Sequence, residues 1–301
     1  MTNQFSFSDL SGDKNTVENV FRLLRGELEH ISRITPGEAT SLARLIFHAL
    51  KGWDTTQLFS HYPDPLSDFT LQRIDEIMGR MKKDEPIQYI LGEARFYGMD
   101  LAVDRSTLIP RHETEELVEL IVNAEGRTPD LRVLDAGTGS GSIAIALSRN
   151  LLFPDITAID ISPDALRIAR QNAEKLHASI RFLEQDIFSY NPAKDSFDII
   201  VSNPPYIAKS ESAEMTPDVL DYEPHSALFV SDEDPLIFYR RIAEVGLSAL
   251  SSGGRLYFEI NPLFADKLKE CIEEIGYSDV TLHPDISQRM RFLFAIVRKD
   301  Q

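Results

Sequence analysis

The sequence predicts an α/β protein: a mainly parallel, seven-stranded sheet with helices on both faces, preceded by a small helical bundle and a β-hairpin connector. Three observations carry this. Apolar residues recur at three- and four-residue spacing through the first 85 residues, the period of helices with one buried face. From Gln88 to Pro110 the pattern changes to two short strand-like runs around Gly98-Met99. After Pro129, short apolar runs alternate with helical segments, as parallel strands joined by crossover helices require.

The elements follow in order. Val17, Val20, Phe21, Leu24, Leu28 and Ile31 paint one apolar stripe. Thr35-Pro36-Gly37-Glu38 is a capping box with proline at the first helical position, and the helix it opens ends at Gly52. A third helix starts at Ser67 or Asp68 and carries Leu71, Ile74, Ile77, Met78 and Met81 before Pro86. None of these stripes is buried alone, so the helices form a bundle. Residues 94–97 and 101–104 form the hairpin, and a helix resumes over 112–124. Strands are expected at 131–135, 156–160, 180–184, 198–202, 255–260, 280–283 and 291–297, the last two as an antiparallel pair at the sheet edge. The predicted division is 1–85 for the helical domain, 86–111 for the connector and 112–301 for the sheet domain.

Composition narrows the function. A chain of 301 residues fits two domains at roughly 150 residues each. The net charge, 31 − 48 = −17, counts against a protein that lives on nucleic-acid phosphates, although a local basic groove is compatible with it. Lys82-Lys83, for instance, is followed at once by Asp84-Glu85. A single cysteine, Cys271, permits no intrachain disulfide and no cysteine-rich zinc site. It has no basic neighbour to activate it. The seven histidines show no metal-ligand spacing. The start MTNQFSFSDL lacks a signal-peptide pattern, and no apolar run nears the ~18 residues of a membrane span. The expectation is a soluble, cytoplasmic protein.

Two motifs point to chemistry. Val133-Leu134-Asp135 runs into Ala136-Gly137-Thr138-Gly139-Ser140-Gly141 and then a helix. Glycines at such a turn admit a ligand close to the backbone, and the helix start offers unpaired N–H donors. The third glycine comes one position too early for a dinucleotide fingerprint. Asp160 closes the next strand, about twenty residues on, where a carboxylate can accept both ribose hydroxyls. Asp186, after the third strand, is placed to accept from an adenine amino group. Together these resemble the S-adenosylmethionine site of Rossmann-like methyltransferases. The aspartates could also be read as helix starts, as Asp160-Ile161-Ser162-Pro163 shows.

The second motif, Asn203-Pro204-Pro205-Tyr206, follows the fourth strand. Prolines fix φ near −65° and have no N–H, so this segment presents carbonyl acceptors beside the Asn203 side-chain oxygen. Such a pair suits a planar NH2 group, whose lone pair must be turned toward the methyl donor. Tyr206 adds an aromatic face. Asn-Pro is also a common strand-ending turn.

With these residues in view, the sequence resembles the HemK-type release factor glutamine methyltransferases. Besides the two motifs, Glu85-Pro86-Ile87-Gln88-Tyr89-Ile90 with Gly92, Leu108-Ile109-Pro110-Arg111, Glu113-Thr114-Glu115, and Tyr222-Glu223-Pro224 with Ala227-Leu228 carry the likeness. The resemblance implies methyl transfer from S-adenosylmethionine to the glutamine of the Gly-Gly-Gln motif of class I peptide chain release factors. It implies that Gly137, Thr138, Gly139, Ser140, Gly141, Asp160 and Asn203 contact the donor, with Asp186 or Ile187 at the adenine. Asn203, Pro204, Pro205 and Tyr206 would hold the glutamine, and Asn203, Pro204 and Tyr206 would carry catalysis. The helical domain would grip the release factor. A monomer is expected, with no membrane partner and no direct binding of nucleic acid. The chain departs from the family at His112, at Asp234-Pro235, at Asn261 and at Phe264. Arg111 and Glu113 either orient the substrate loop or form a surface pair. The rival reading is amino methylation of adenine in DNA or RNA, which uses the same Asn-Pro-Pro-Tyr turn.

Overall fold

The computed structural model describes residues 5–298. The chain divides into two compact units, one up to Leu91 and one from Gly92 on. The residues expected as a connector, 86–111, lie on both sides of that division. Ile87 and Ile90 belong to the core of the helical unit, whereas Phe96, Met99 and Leu101 belong to the core of the sheet unit.

In the helical unit, α1 (Val17–Glu29), α2 (Pro36–Lys51), α3 (Thr55–Ser60), α4 (Asp68–Met81) and α5 (Ile87–Leu91) surround a core that includes Val20, Leu24, Ile46, Leu71 and Ile74. The capping box forms as the sequence predicts, Thr35 and Glu38 each satisfying the other's backbone N–H, and Gly52 ends α2 with φ +71°. Helix α3 has its own box, Asp54 with Gln57, but six residues carry no readable apolar period.

The sheet unit begins with the hairpin β1 (Glu93–Phe96) and β2 (Met99–Ala102), then α6 (His112–Glu125). There follow β3 (Arg132–Ala136), α7 (Ser142–Asn150), β4 (Asp155–Asp160), α8 (Pro163–Lys175), β5 (Ile180–Glu184) and β6 (Phe197–Ser202). Two short strands, β7 (Ile207–Ala208) and β8 (Phe229–Val230), bracket the small helices α9 (Pro217–Leu220) and α10 (His225–Leu228). The chain ends with α11 (Ile237–Ala249), β9 (Leu250–Glu259), α12 (Ala265–Ile275), β10 (Ser278–Pro284) and β11 (Met290–Ile296).

The seven strands run in the order β10-β11-β9-β6-β3-β4-β5. Only β11 runs opposite to the other six strands, so the predicted edge hairpin and parallel centre are both present. One face is covered by α11 and α12 through Ile242, Val245, Leu268 and Ile272. The other is covered by α6, α7 and the hairpin through Leu117, Ile121, Ile145 and Leu101. Among the described residues no helix is long and apolar enough to cross a membrane.

Candidate active site

Strand order reverses between β3 and β6, which are parallel neighbours with β4 and β5 on one side and β9 on the other. Ligands of α/β sheets settle beyond the carboxyl ends of strands at such a point. The Ser202 hydroxyl donates to the carbonyl of Ala136 at 2.5 Å, tying the two strand ends together. There a cavity of about 430 Å3 opens, within the ~300–1,000 Å3 of small-molecule sites.

Gly137, Thr138, Gly139, Ser140, Asp160, Asp186, Ile187, Asn203, Pro204 and Pro205 all line this cavity. Gly141 and Tyr206 are not among its lining residues. Gly141 precedes α7 with φ +82°, and a side chain there would meet Ala169 Cβ and Ile145 Cδ1 at 3.2 Å each. It serves the close packing of α7 on α8. Gly137 and Gly139 instead have open space around them and φ of +77° and +56°, so their role is the shape of the turn.

Carboxylates give the cavity its electrostatics. Asp160 accepts the N–H of Gly139 and that of Ser162, both at 2.9 Å, which fixes it across the glycine turn. Burial pushes its carboxyl up, against those bonds. Asp135 is wholly buried: Oδ2 accepts from the Thr138 hydroxyl at 2.6 Å and the Ala144 N–H at 3.2 Å. Its Oδ1 has no hydrogen-bond partner among the described residues. Burial pushes Asp135 up to about 7. Asp186 accepts from the N–H of Phe188 at 2.9 Å, and Ile161 and Phe188 stand 64% and 43% exposed at the cavity rim. This set fits S-adenosylmethionine, which carries a sulfonium and an ammonium for the acids, hydroxyls for Asp160 and an aromatic base for the apolar rim. Asp135 itself does not line the cavity; it stands behind Ala136 and Thr138, which do.

Asn203 is half-buried at the end of β6. Its Nδ2 donates to Thr114 Oγ1 at 3.1 Å, and that hydroxyl donates to Glu259 Oε2 at 2.6 Å. The Tyr206 hydroxyl donates to the other oxygen, Oε1, at 3.1 Å. Glu259 is 1% exposed; burial pushes its carboxyl up, while the two bonds and the charge of Arg291 push it down. Burial and Glu259 hold the Tyr206 hydroxyl protonated far above the ordinary tyrosine range. Asn261, one of the departures, donates to the carbonyl of Tyr206 at 3.1 Å and to Glu211 Oε1 at 3.0 Å. It braces the turn that glycine in its place could not reach. Of the other departures, His112 begins α6 with its ring 3.8 Å from Glu115, Asp234 next to Pro235 forks onto Arg240 with two 2.9 Å bonds, and Phe264 donates its N–H to the Asn261 carbonyl.

Arg111 is not a loose surface residue. It lines the cavity and pairs at 2.5 Å with Glu223, which is buried and also accepts from the Ile109 N–H at 3.3 Å. This joins the segment before α6 to the loop before α10. Thr114, Glu259 and the Glu223 partnership were not read as site features from sequence. Thr114 and Glu259 lie 145 positions apart, and no local pattern links them.

Two family models match the chain: a methyltransferase domain over residues 127–259 and a PrmC N-terminal domain over 29–92. A release factor glutamine methyltransferase of Bacteroides thetaiotaomicron is 47% identical over 86% of this chain and 93% of its own length. One of Streptococcus pneumoniae is 42% identical over 80% and 84% respectively. Among solved structures, a methyltransferase from Pyrococcus furiosus superposes with TM-score 0.50 at 16% identity, covering 74% of this chain and 99% of its own, a likeness of fold. The chain belongs to the release factor glutamine methyltransferase family.

Proposed function

We propose that this chain transfers the methyl group of S-adenosylmethionine to the side-chain amide nitrogen of the glutamine in the Gly-Gly-Gln motif of class I release factors. The observation that carries the reading is the meeting of the glycine turn and the Asn203-Pro204-Pro205 turn in one cavity. The donor, when bound, supplies an electrophilic methyl group. Gly137 to Ser140, Asp160, Asp186, Ile187 and Asn203 would hold it.

The work of the protein lies in the acceptor. An amide nitrogen is a poor nucleophile because its lone pair is delocalised, as the ~18–20 kcal/mol barrier to amide rotation shows. Asn203 and the carbonyl of Pro204 provide acceptors for its two N–H bonds. Holding both aims the lone pair and favours the more positive, more pyramidal nitrogen of the transition state over the planar ground state. Orientation of two bound reactants is worth up to roughly 7–11 kcal/mol. After transfer the nitrogen sheds one proton to water. Tyr206, with its hydroxyl held by Glu259, supports the turn from behind. The helical unit would hold the release factor, and the enzyme would act as a cytoplasmic monomer.

The test is peptide mass spectrometry of an unmethylated release factor after incubation with protein and donor, with Asn203→Ala and a nucleic-acid substrate alongside. A gain of one methyl on the Gly-Gly-Gln glutamine, reduced roughly 100-fold or more in the variant, is expected. Transfer to nucleic acid instead would overturn the substrate and favour adenine methylation.

A further inference from the structure

We propose that Thr114 and Glu259 are positioning residues for the acceptor amide: together they hold Asn203 with its carboxamide oxygen, not its NH2, presented to the substrate nitrogen. The inference rests on the function just described and names the device that selects the productive orientation of Asn203.

The argument is a count of protons. A side-chain carboxamide offers a donor edge and an acceptor edge that are nearly the same in shape, so packing alone does not choose between them. With a hydroxyl donating to each of its oxygens, Thr114 to Oε2 and Tyr206 to Oε1, Glu259 acts as a carboxylate, which only accepts. Glu259 lies buried at the end of β9, with Oε2 2.6 Å from the Thr114 hydroxyl. The single proton of Thr114 is therefore committed to Glu259. Toward Asn203, 3.1 Å away, Thr114 can offer only a lone pair. Only the NH2 edge of Asn203 can meet it, which leaves Oδ1 for the cavity that Asn203 lines. With the amide turned over, two donor groups would face each other at the substrate, and Asn203 Oδ1 would face a lone pair of Thr114.

Glu259 acts on the other end of the turn as well. Its Oε1 takes the Tyr206 hydroxyl at 3.1 Å, and its backbone carbonyl takes the hydroxyl of buried Tyr239 at 3.0 Å. One carboxylate thus fixes both Asn203, through Thr114, and Tyr206 directly. Neither Thr114 nor Glu259 need touch the reacting atoms: Thr114 reaches the cavity wall, and Glu259 stands behind it.

The test compares wild type, Thr114→Val, Thr114→Ser and Glu259→Gln in steady-state methylation of an unmethylated release factor. Donor affinity by calorimetry and thermal melting are measured on each. Thr114→Val keeps the shape and removes the hydroxyl; kcat should fall about 10- to 100-fold while KM for the donor and its Kd stay within about threefold. Thr114→Ser restores the hydroxyl and should recover most of kcat. Glu259→Gln can turn an NH2 toward Thr114 and reverse the chain of donors, so it should lose at least as much. If Thr114→Val does not fold, Thr114→Ala takes its place with the same two outcomes. A valine variant with wild-type kcat, or a serine variant as slow as valine, overturns the positioning role while methylation by wild type leaves the function standing. A wild type that transfers nothing to the release factor overturns both.

Discussion

At the scale of single residues, Asp135 is held between two protonation states. Burial lifts its carboxyl to about 7, the Thr138 hydroxyl and the Ala144 N–H pull it down, and the nearby charge of Asp160 adds to the rise. A cation bound in the adjoining cavity, which Ala136 and Thr138 line, would favour the carboxylate, so donor binding near neutral pH should release protons. By linkage, donor affinity should then climb between about pH 6 and about pH 8. Calorimetry in two buffers of unlike ionisation enthalpy reads the proton count directly; equal apparent enthalpies would defeat the idea. The same shift sets a stability slope. A carboxyl raised on folding stabilises fully below the ordinary aspartate range, and that contribution is lost as pH rises through about 7. Asp135→Asn should accordingly gain melting temperature relative to wild type at about pH 8 compared with about pH 5.5. Asp135 was visible in the sequence as an acid closing a strand, but its orphaned oxygen depends on which atoms the glycine turn turns toward it, which no spacing encodes.

At the scale of elements, the strands were legible because burial on both faces leaves short apolar runs, and their ends were placed within a few residues. β9 is the exception: it begins at Leu250, five positions before the expected start, because Ser251, Ser252, Gly253 and Gly254 read as a turn. The join between hairpin, α8 and glycine turn was not read, although one signal existed. Asn172 stands among Ala165, Leu166, Ile168, Ala169 and Ala173 on the buried stripe of α8, a polar residue where the period demands an apolar one. Its carboxamide accepts from the Ala102 N–H at 2.7 Å and donates to the carbonyls of Ala102 and Ser140 at 3.0 and 2.9 Å. Ser140 lines the cavity, so this one side chain locks β2 and the donor turn to the same helix. Asn172→Ala strands three backbone groups, the buried Ser140 carbonyl and the half-buried N–H and carbonyl of Ala102, and a buried group left unsatisfied costs about 1–3 kcal/mol. We expect a stability loss of about 2–5 kcal/mol by denaturant titration together with weaker donor binding. A variant that is destabilised yet binds the donor as wild type does would separate the hairpin from the site.

At the scale of the whole molecule, the sequence located the cavity without its supports. Motif order on successive strands put Gly137, Asp160, Asp186 and Asn203 at one sheet edge, since parallel strands end on the same side. Thr114 and Glu259 arrive there from α6 and β9 through tertiary folding alone. Charge distinguishes the two candidate substrates at this scale too. An enzyme that methylates adenine must hold a phosphate backbone, and non-specific binding of about 10⁻⁴–10⁻⁶ M comes from lysines and arginines that displace counterions. This chain carries 48 acids against 31 lysines and arginines, and the acids Asp160 and Asp186 line the cavity itself. Self-repulsion between two polyanions is strongest at low ionic strength, where the screening length reaches about 30 Å at 0.01 M salt. A labelled oligonucleotide should therefore show no measurable binding even in low salt, and excess DNA or RNA should leave the rate of release factor methylation unchanged. Competition that grows as salt is lowered would reveal a basic groove and return nucleic acid to consideration as the substrate.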